Sequence, residues 1–116
     1  MELKLHSDEE LRMNAIGVDI GGTKIAAAAV TPEGKILNEV RYPTQAIPPN
    51  RLIETIARAI TEVRDGFEVG GACLAVPGFV LSAENMVIFA PNLHEIENIP
   101  LDEEIGRRTG LSATVE

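Results

Sequence analysis

Tryptophan is missing from this chain, cysteine occurs once, and aromatic residues make up only 3% of its 116 positions. The single Cys73 excludes an internal disulfide and any multi-cysteine zinc cluster drawn from this chain alone, which fits a reducing compartment. So few aromatics leave no stacking platform for single-stranded bases. Basic charge is scarce as well: 10 Lys and Arg face 18 Asp and Glu, for a formal net charge of −8. Nucleic acid and anionic membranes both need a basic face, so neither is expected as a partner. No apolar run reaches the roughly 20 residues of a membrane span. Residues 1–14 are charged throughout and hold no apolar signal core. The composition reads as that of a cytoplasmic protein. Its hydrophobic fraction of 45% is enough for one modest core, hence one domain over 15–116 behind a polar leader. In that leader Ser7 and Glu10 form a capping-box pattern for a short helix, and His6 has no second metal ligand at suitable spacing.

What is present centres on Ala15-Ile16-Gly17-Val18-Asp19-Ile20-Gly21-Gly22-Thr23-Lys24, running on into Ile25-Ala26-Ala27-Ala28-Ala29-Val30. An apolar strand carrying one aspartate on its buried side meets a diglycine and leaves along a second apolar strand. Two glycines between such runs predict a two-residue primed hairpin turn with positive φ at its centre. Lacking Cβ atoms, Gly21 and Gly22 leave their amides open to a bulky anion. Thr23 adds a hydroxyl donor, Lys24 a positive charge, and Asp19 a carboxylate suited to a hard cation. Phosphate oxygens with magnesium are the chemistry that such a set fits. The pattern is neither a P-loop nor a dinucleotide fingerprint, whose third glycine is absent.

Further along, Lys35 to Tyr42 reads as a third strand closing an antiparallel meander, with Pro43 ending it and 44–49 as a linker. Asn50 is the expected cap of a helix whose Leu52, Ile53, Ile56, Ala57, Ile60 and Val63 share one face. That helix ends near Asp65-Gly66. Ala72-Cys73-Leu74-Ala75-Val76 has the apolar character of a central parallel strand buried on both faces, with Cys73 as a small core residue. Pro77-Gly78 breaks it, and Phe79-Val80-Leu81 with Met86-Val87-Ile88-Phe89 predicts a small hairpin. A loop over 90–93, a second helix from Pro100 to Thr109 and the beginning of a last strand over 111–116 complete the order. The charged helix faces, and His94, read as solvated surface.

Asp19-x-Gly21-Gly22-Thr23-Lys24 resembles the first phosphate motif of the actin-like sugar kinases, and most of all that of the ROK family (repressor, open reading frame, kinase), which includes bacterial glucokinases. Val76-Pro77-Gly78-Phe79-Val80 looks like the family's Val-Pro-Gly-x-Val segment, and Phe89-Ala90-Pro91-Asn92-Leu93 like its Ala-Pro-Asn-Leu loop. Ile99-Pro100-Leu101 and 110–116 resemble the helix and strand that follow. Departures lie at Cys73 and Ala75, where glycines are common, at Phe79 in place of a proline, at Leu81 in place of an aspartate, and at Ile96 in place of a tryptophan.

The resemblance implies an α/β, actin-like (ribonuclease H-like) ATPase lobe: a mixed sheet, with a three-strand antiparallel meander followed by parallel strands and packed helices. It implies ATP and Mg2+, with Asp19, Gly21, Gly22, Thr23 and Lys24 at the nucleotide phosphates and Asp19 at the metal. Gly78 and Asn92 would contact a hexose, most simply glucose, phosphorylated at its 6-hydroxyl. The family's general base follows the strand that ends Val115-Glu116, in an Asn-Asp pair, so no catalytic base is expected within this chain. A second lobe holding the nucleotide base, and a histidine-cysteine zinc cluster, would likewise lie elsewhere in a homo-oligomeric parent. The chain by itself is then expected to be an inactive amino-terminal lobe. Two other classes share this lobe. A sugar-sensing regulator would need a DNA-binding domain ahead of the phosphate motif, where 14 residues stand. A non-catalytic interaction domain would keep the fold alone.

Overall fold

The computed structural model describes residues 13–116, so the expected leader helix and His6 fall outside the described residues. Among the described residues, seven strands and two α-helices organise the fold. β1 (Asn14–Ile20), β2 (Lys24–Val30) and β3 (Ile36–Pro43) form the antiparallel meander. β4 (Val69–Ala75) and β7 (Ala113–Val115) add parallel to β1, giving a five-stranded sheet in the order β3-β2-β1-β4-β7. β5 (Phe79–Leu81) and β6 (Met86–Phe89) pair as a separate hairpin beyond the end of β4.

Period-two alternation decides which face of the sheet is covered. Ile16, Val18 and Ile20 of β1 align with Ala29, Ala27 and Ile25 of β2, and all six are buried. Ala72 and Leu74 of β4 continue that face. Over it lie α1 (Leu52–Arg64), through Leu52, Ile56, Ile60 and Val63, and α2 (Leu101–Thr109), through Leu101 and Ile105. Stiff β-branched residues on the strands against an isoleucine-rich helix stripe make a single close-packed layer.

Several expectations need correction. The Asp19 side chain lies on the opposite, exposed face: positions 16, 18 and 20 point into the core, so position 19 cannot. Gly17, Asp19, Ala26, Ala28, Cys73 and Ala75 share that second face, which neither described helix covers. β4 is therefore buried on one face only among the described residues, and Cys73 is half-exposed there rather than in the core. Asn50 does not cap α1. It stands at φ 64, and Arg51 occupies the cap position without a side-chain cap bond. The Leu52 amide is instead met by Glu95 Oε1 at 3.3 Å, a partner 43 residues away that local sequence cannot announce. Residues 44–46, read as linker, form a 3-10 turn.

Candidate functional site

The site is assembled where the parallel strands end. Asp19 is the penultimate residue of β1 and pairs in register with Ala75, the last of β4. Beside them, the Glu116 amide donates to Leu74 O and the Val76 amide donates to Glu116 O, both at 2.8 Å, so the end of β7 abuts Val76-Pro77-Gly78. Carboxyl ends of parallel strands are where open α/β sheets bind ligands. One edge of this molecule thus gathers Asp19, residues 21–24, Gly78 and Glu116.

The diglycine connection differs from the predicted turn. β1 ends at Ile20 and β2 opens at Lys24, so residues 21–23 form a three-residue connection, and neither Gly21 nor Gly22 adopts positive φ. Spatial crowding, not backbone handedness, accounts for Gly21: a Cβ there would stand 3.0 Å from Lys24 O. The Gly21 amide is spent on closing the loop, donating to Lys24 O at 3.0 Å. The Gly22 and Thr23 amides have no protein acceptor among the described residues, and both residues are exposed. Unpaired donors facing solvent at a strand end are the raw material of an anion cradle.

Residues 44–46 back this loop. Thr44 Oγ1 donates to Gly21 O at 2.8 Å, and the Thr44 amide donates to Thr23 O at 2.9 Å. The linker reading of this segment missed both bonds, because a threonine after a proline carries no signal of what it will meet.

Asp19 is exposed and joins no salt bridge or side-chain hydrogen bond among the described residues. The turn therefore does not use its carboxylate. Lys24, also exposed, opens β2 directly after Thr23.

Asn92 reaches this loop from across the chain. A Cβ built on Gly22 would come within 3.8 Å of Asn92 Nδ2, so the amide of Asn92 sits against the diglycine. Asn92 and Thr44 also line one small cavity of about 190 Å3, together with Leu93, His94 and Glu95. Asn92 takes φ 64, a conformation asparagine tolerates better than most residues. Glu97 fixes the loop that presents it: Glu97 Oε2 accepts the Ala90 amide at 2.9 Å and contacts His94 Nδ1 at 2.8 Å. The Ala90 bond, followed by His94, holds the Glu97 carboxyl below the usual glutamate range. His94 is otherwise a surface residue, as its sequence context implied.

Gly78 is exposed, at φ 111, and a Cβ on it would fall 2.1 Å from Phe89 O. The Pro-Gly break and the start of the 90–93 loop are therefore pressed together, backbone to backbone. The structure brings Asp19, Gly21, Gly22, Thr23, Lys24 and Asn92 to one locality and sets Gly78 at the same end of the sheet. Alongside them the hairpin exposes Phe79 and Phe89, at 61% and 52%.

Residues 15–116 match the ROK family. The chain belongs to the ROK family. It is 41% identical over 101 residues to a glucokinase of Streptomyces coelicolor, an alignment that covers 87% of this chain and 31% of that protein. A glucokinase of Thermotoga maritima is 35% identical over 106 residues, covering 90% of this chain and 33% of its own. Among solved structures, a ROK family glucokinase from Streptomyces griseus in complex with glucose and AMPPNP superposes with a TM-score of 0.79 at 35% identity, over 89% of this chain and 32% of that one. This ROK chain thus spans about a third of the length of the curated relatives it matches. Its mixed sheet, with the two described helices on one face, is a lobe of the actin-like ATPase fold. No described helix is long and apolar enough to cross a membrane.

Proposed function

We propose that this ROK chain is the amino-terminal lobe of a sugar kinase that transfers the ATP γ-phosphoryl group to a hexose, glucose being the first candidate. The observation that carries the reading is the pair of amides at Gly22 and Thr23 that find no acceptor among the described residues, set at the strand ends beside the exposed Asp19 carboxylate. Phosphoryl transfer asks little covalent chemistry of a protein and much positioning of charge. The Gly22 and Thr23 amides and the Thr23 hydroxyl donate to phosphate oxygens, with Lys24 adding charge at the rim.

Asp19 fits magnesium on its own features: an exposed carboxylate, without a salt-bridge or side-chain hydrogen-bond partner among the described residues, next to donors for the oxygens that a hard cation would share. No group of three or more His, Cys, Asp or Glu side chains stands ready for a metal among the described residues. Asp19 would therefore hold the ion jointly with phosphate and water. Magnesium supplies charge neutralisation across the phosphate oxygens when bound.

Gly78 and Asn92 form the hexose side. Gly78 offers bare backbone, and Asn92 offers an amide able both to donate to and to accept from a sugar hydroxyl. Because Asn92 Nδ2 lies against Gly22, hexose and phosphate meet over the diglycine loop. The general base that the family resemblance places after Glu116 would emerge at this same edge, next to Val76.

Calorimetry and a coupled assay on the full-length protein test the reading. Glucose and magnesium-ATP should each bind, and glucose 6-phosphate should form. Sugar binding without any nucleotide binding would point to a regulator instead, and binding of neither to a scaffold.

A further inference from the structure

We infer that Thr44 is a positioning residue for the phosphate loop, setting the direction of the Gly22 amide by anchoring the carbonyl of the same peptide unit. This rests on the kinase reading above and deepens it. In a planar trans peptide the C=O and N–H point in opposite directions, and the described chain has no cis peptide bond. Thr44 Oγ1 holds Gly21 O at 2.8 Å in a part-buried bond. The N–H of that unit is the Gly22 amide, so it must point away from Thr44. Among the described residues it finds no protein acceptor.

The second bond makes the arrangement a clamp. The Thr44 amide donates to Thr23 O at 2.9 Å, so both ends of the Gly22-Thr23 dipeptide are tied to one residue. Gly21 closes the loop on Lys24 O from the other side. Glycine has the greatest backbone freedom to lose, and a loop of two glycines would otherwise sample many amide directions. Thr44 removes that freedom before ligand arrives, which is how preorganised donors raise affinity and rate. Thr44 itself need not touch the nucleotide.

Thr44→Val deletes the hydroxyl while keeping its size and its backbone amide. In the full-length protein the KM for magnesium-ATP should rise about tenfold, the effect expected from one misdirected hydrogen-bond donor. The KM for glucose should stay within about twofold, and Thr44→Ser, which restores the hydroxyl, should return the nucleotide KM to the wild-type value. An unchanged nucleotide KM in Thr44→Val, with wild type active, overturns the inference. So does an equal loss for both substrates that tracks a lowered melting temperature, since that marks a merely structural hydroxyl. If wild type itself neither binds magnesium-ATP nor phosphorylates glucose, the kinase reading fails first and the inference falls with it.

Discussion

Gly78→Ala is expected to destabilise this lobe by at least about 3 kcal/mol, near the upper end of single-residue effects. Two independent penalties act at the position. Its φ of 111 lies in a region that residues with a side chain rarely adopt, and the new methyl would stand 2.1 Å from the carbonyl oxygen of Phe89. Backbone on that side cannot yield easily. Phe89 is paired in the hairpin with Phe79, and the next residue, Ala90, is fully buried with its amide held by Glu97. Relief would have to come by moving the 90–93 loop, which carries Asn92. Urea unfolding of the lobe measures the loss, and hexose binding to the full-length variant should weaken in step. A variant as stable as wild type would show that Gly78 and Phe89 are not packed as described.

Asp19→Ala should reduce magnesium-dependent phosphoryl transfer by on the order of 10²–10³-fold, the scale set by removing one preorganised charge-stabilising group. The fold should tolerate it. Asp19 is exposed and supports no salt bridge among the described residues, so its loss leaves no orphaned partner. Surface substitutions of this kind usually stay within about 0.5 kcal/mol. The contrast with Gly78→Ala is informative, because one change damages the structure that frames the site and the other only its chemistry. Measured turnover at saturating magnesium decides the point. Retained activity in Asp19→Ala would remove the metal role from this carboxylate.

Much of the architecture was legible because it rests on local patterns. Alternation along β1 and β2, the apolar stripe of α1 and the Pro-Gly break after β4 each signal through neighbouring residues. The residues proposed for the site stand out in the sequence for the same reason, being contiguous at 19–24 or marked by the Pro-Asn loop. What escaped depends on contacts distant in sequence. Thr44 meets Gly21 and Thr23 across a whole hairpin, and Glu95 reaches the start of α1 from 43 residues away. Asp19 was expected on the buried side because its neighbours are apolar, yet alternation from Ile16, Val18 and Ile20 forces it outward. The diglycine was expected to need positive φ, but the connection is the three residues 21–23 and is closed by the Gly21 amide on Lys24 O. That last correction narrows the donor set. The open backbone donors at the loop reduce to Gly22 and Thr23 among the described residues, because the Gly21 amide already donates to Lys24 O.

Backbone amide spectra of the full-length protein, taken with and without a magnesium-bound non-hydrolysable ATP analogue, probe those two donors directly. Large downfield shifts confined to the Gly22 and Thr23 amides, with Gly21 nearly unmoved, are the predicted result. Saturating nucleotide that leaves both resonances in place would mean the triphosphate is gripped elsewhere, and the site described at the strand ends would be wrong.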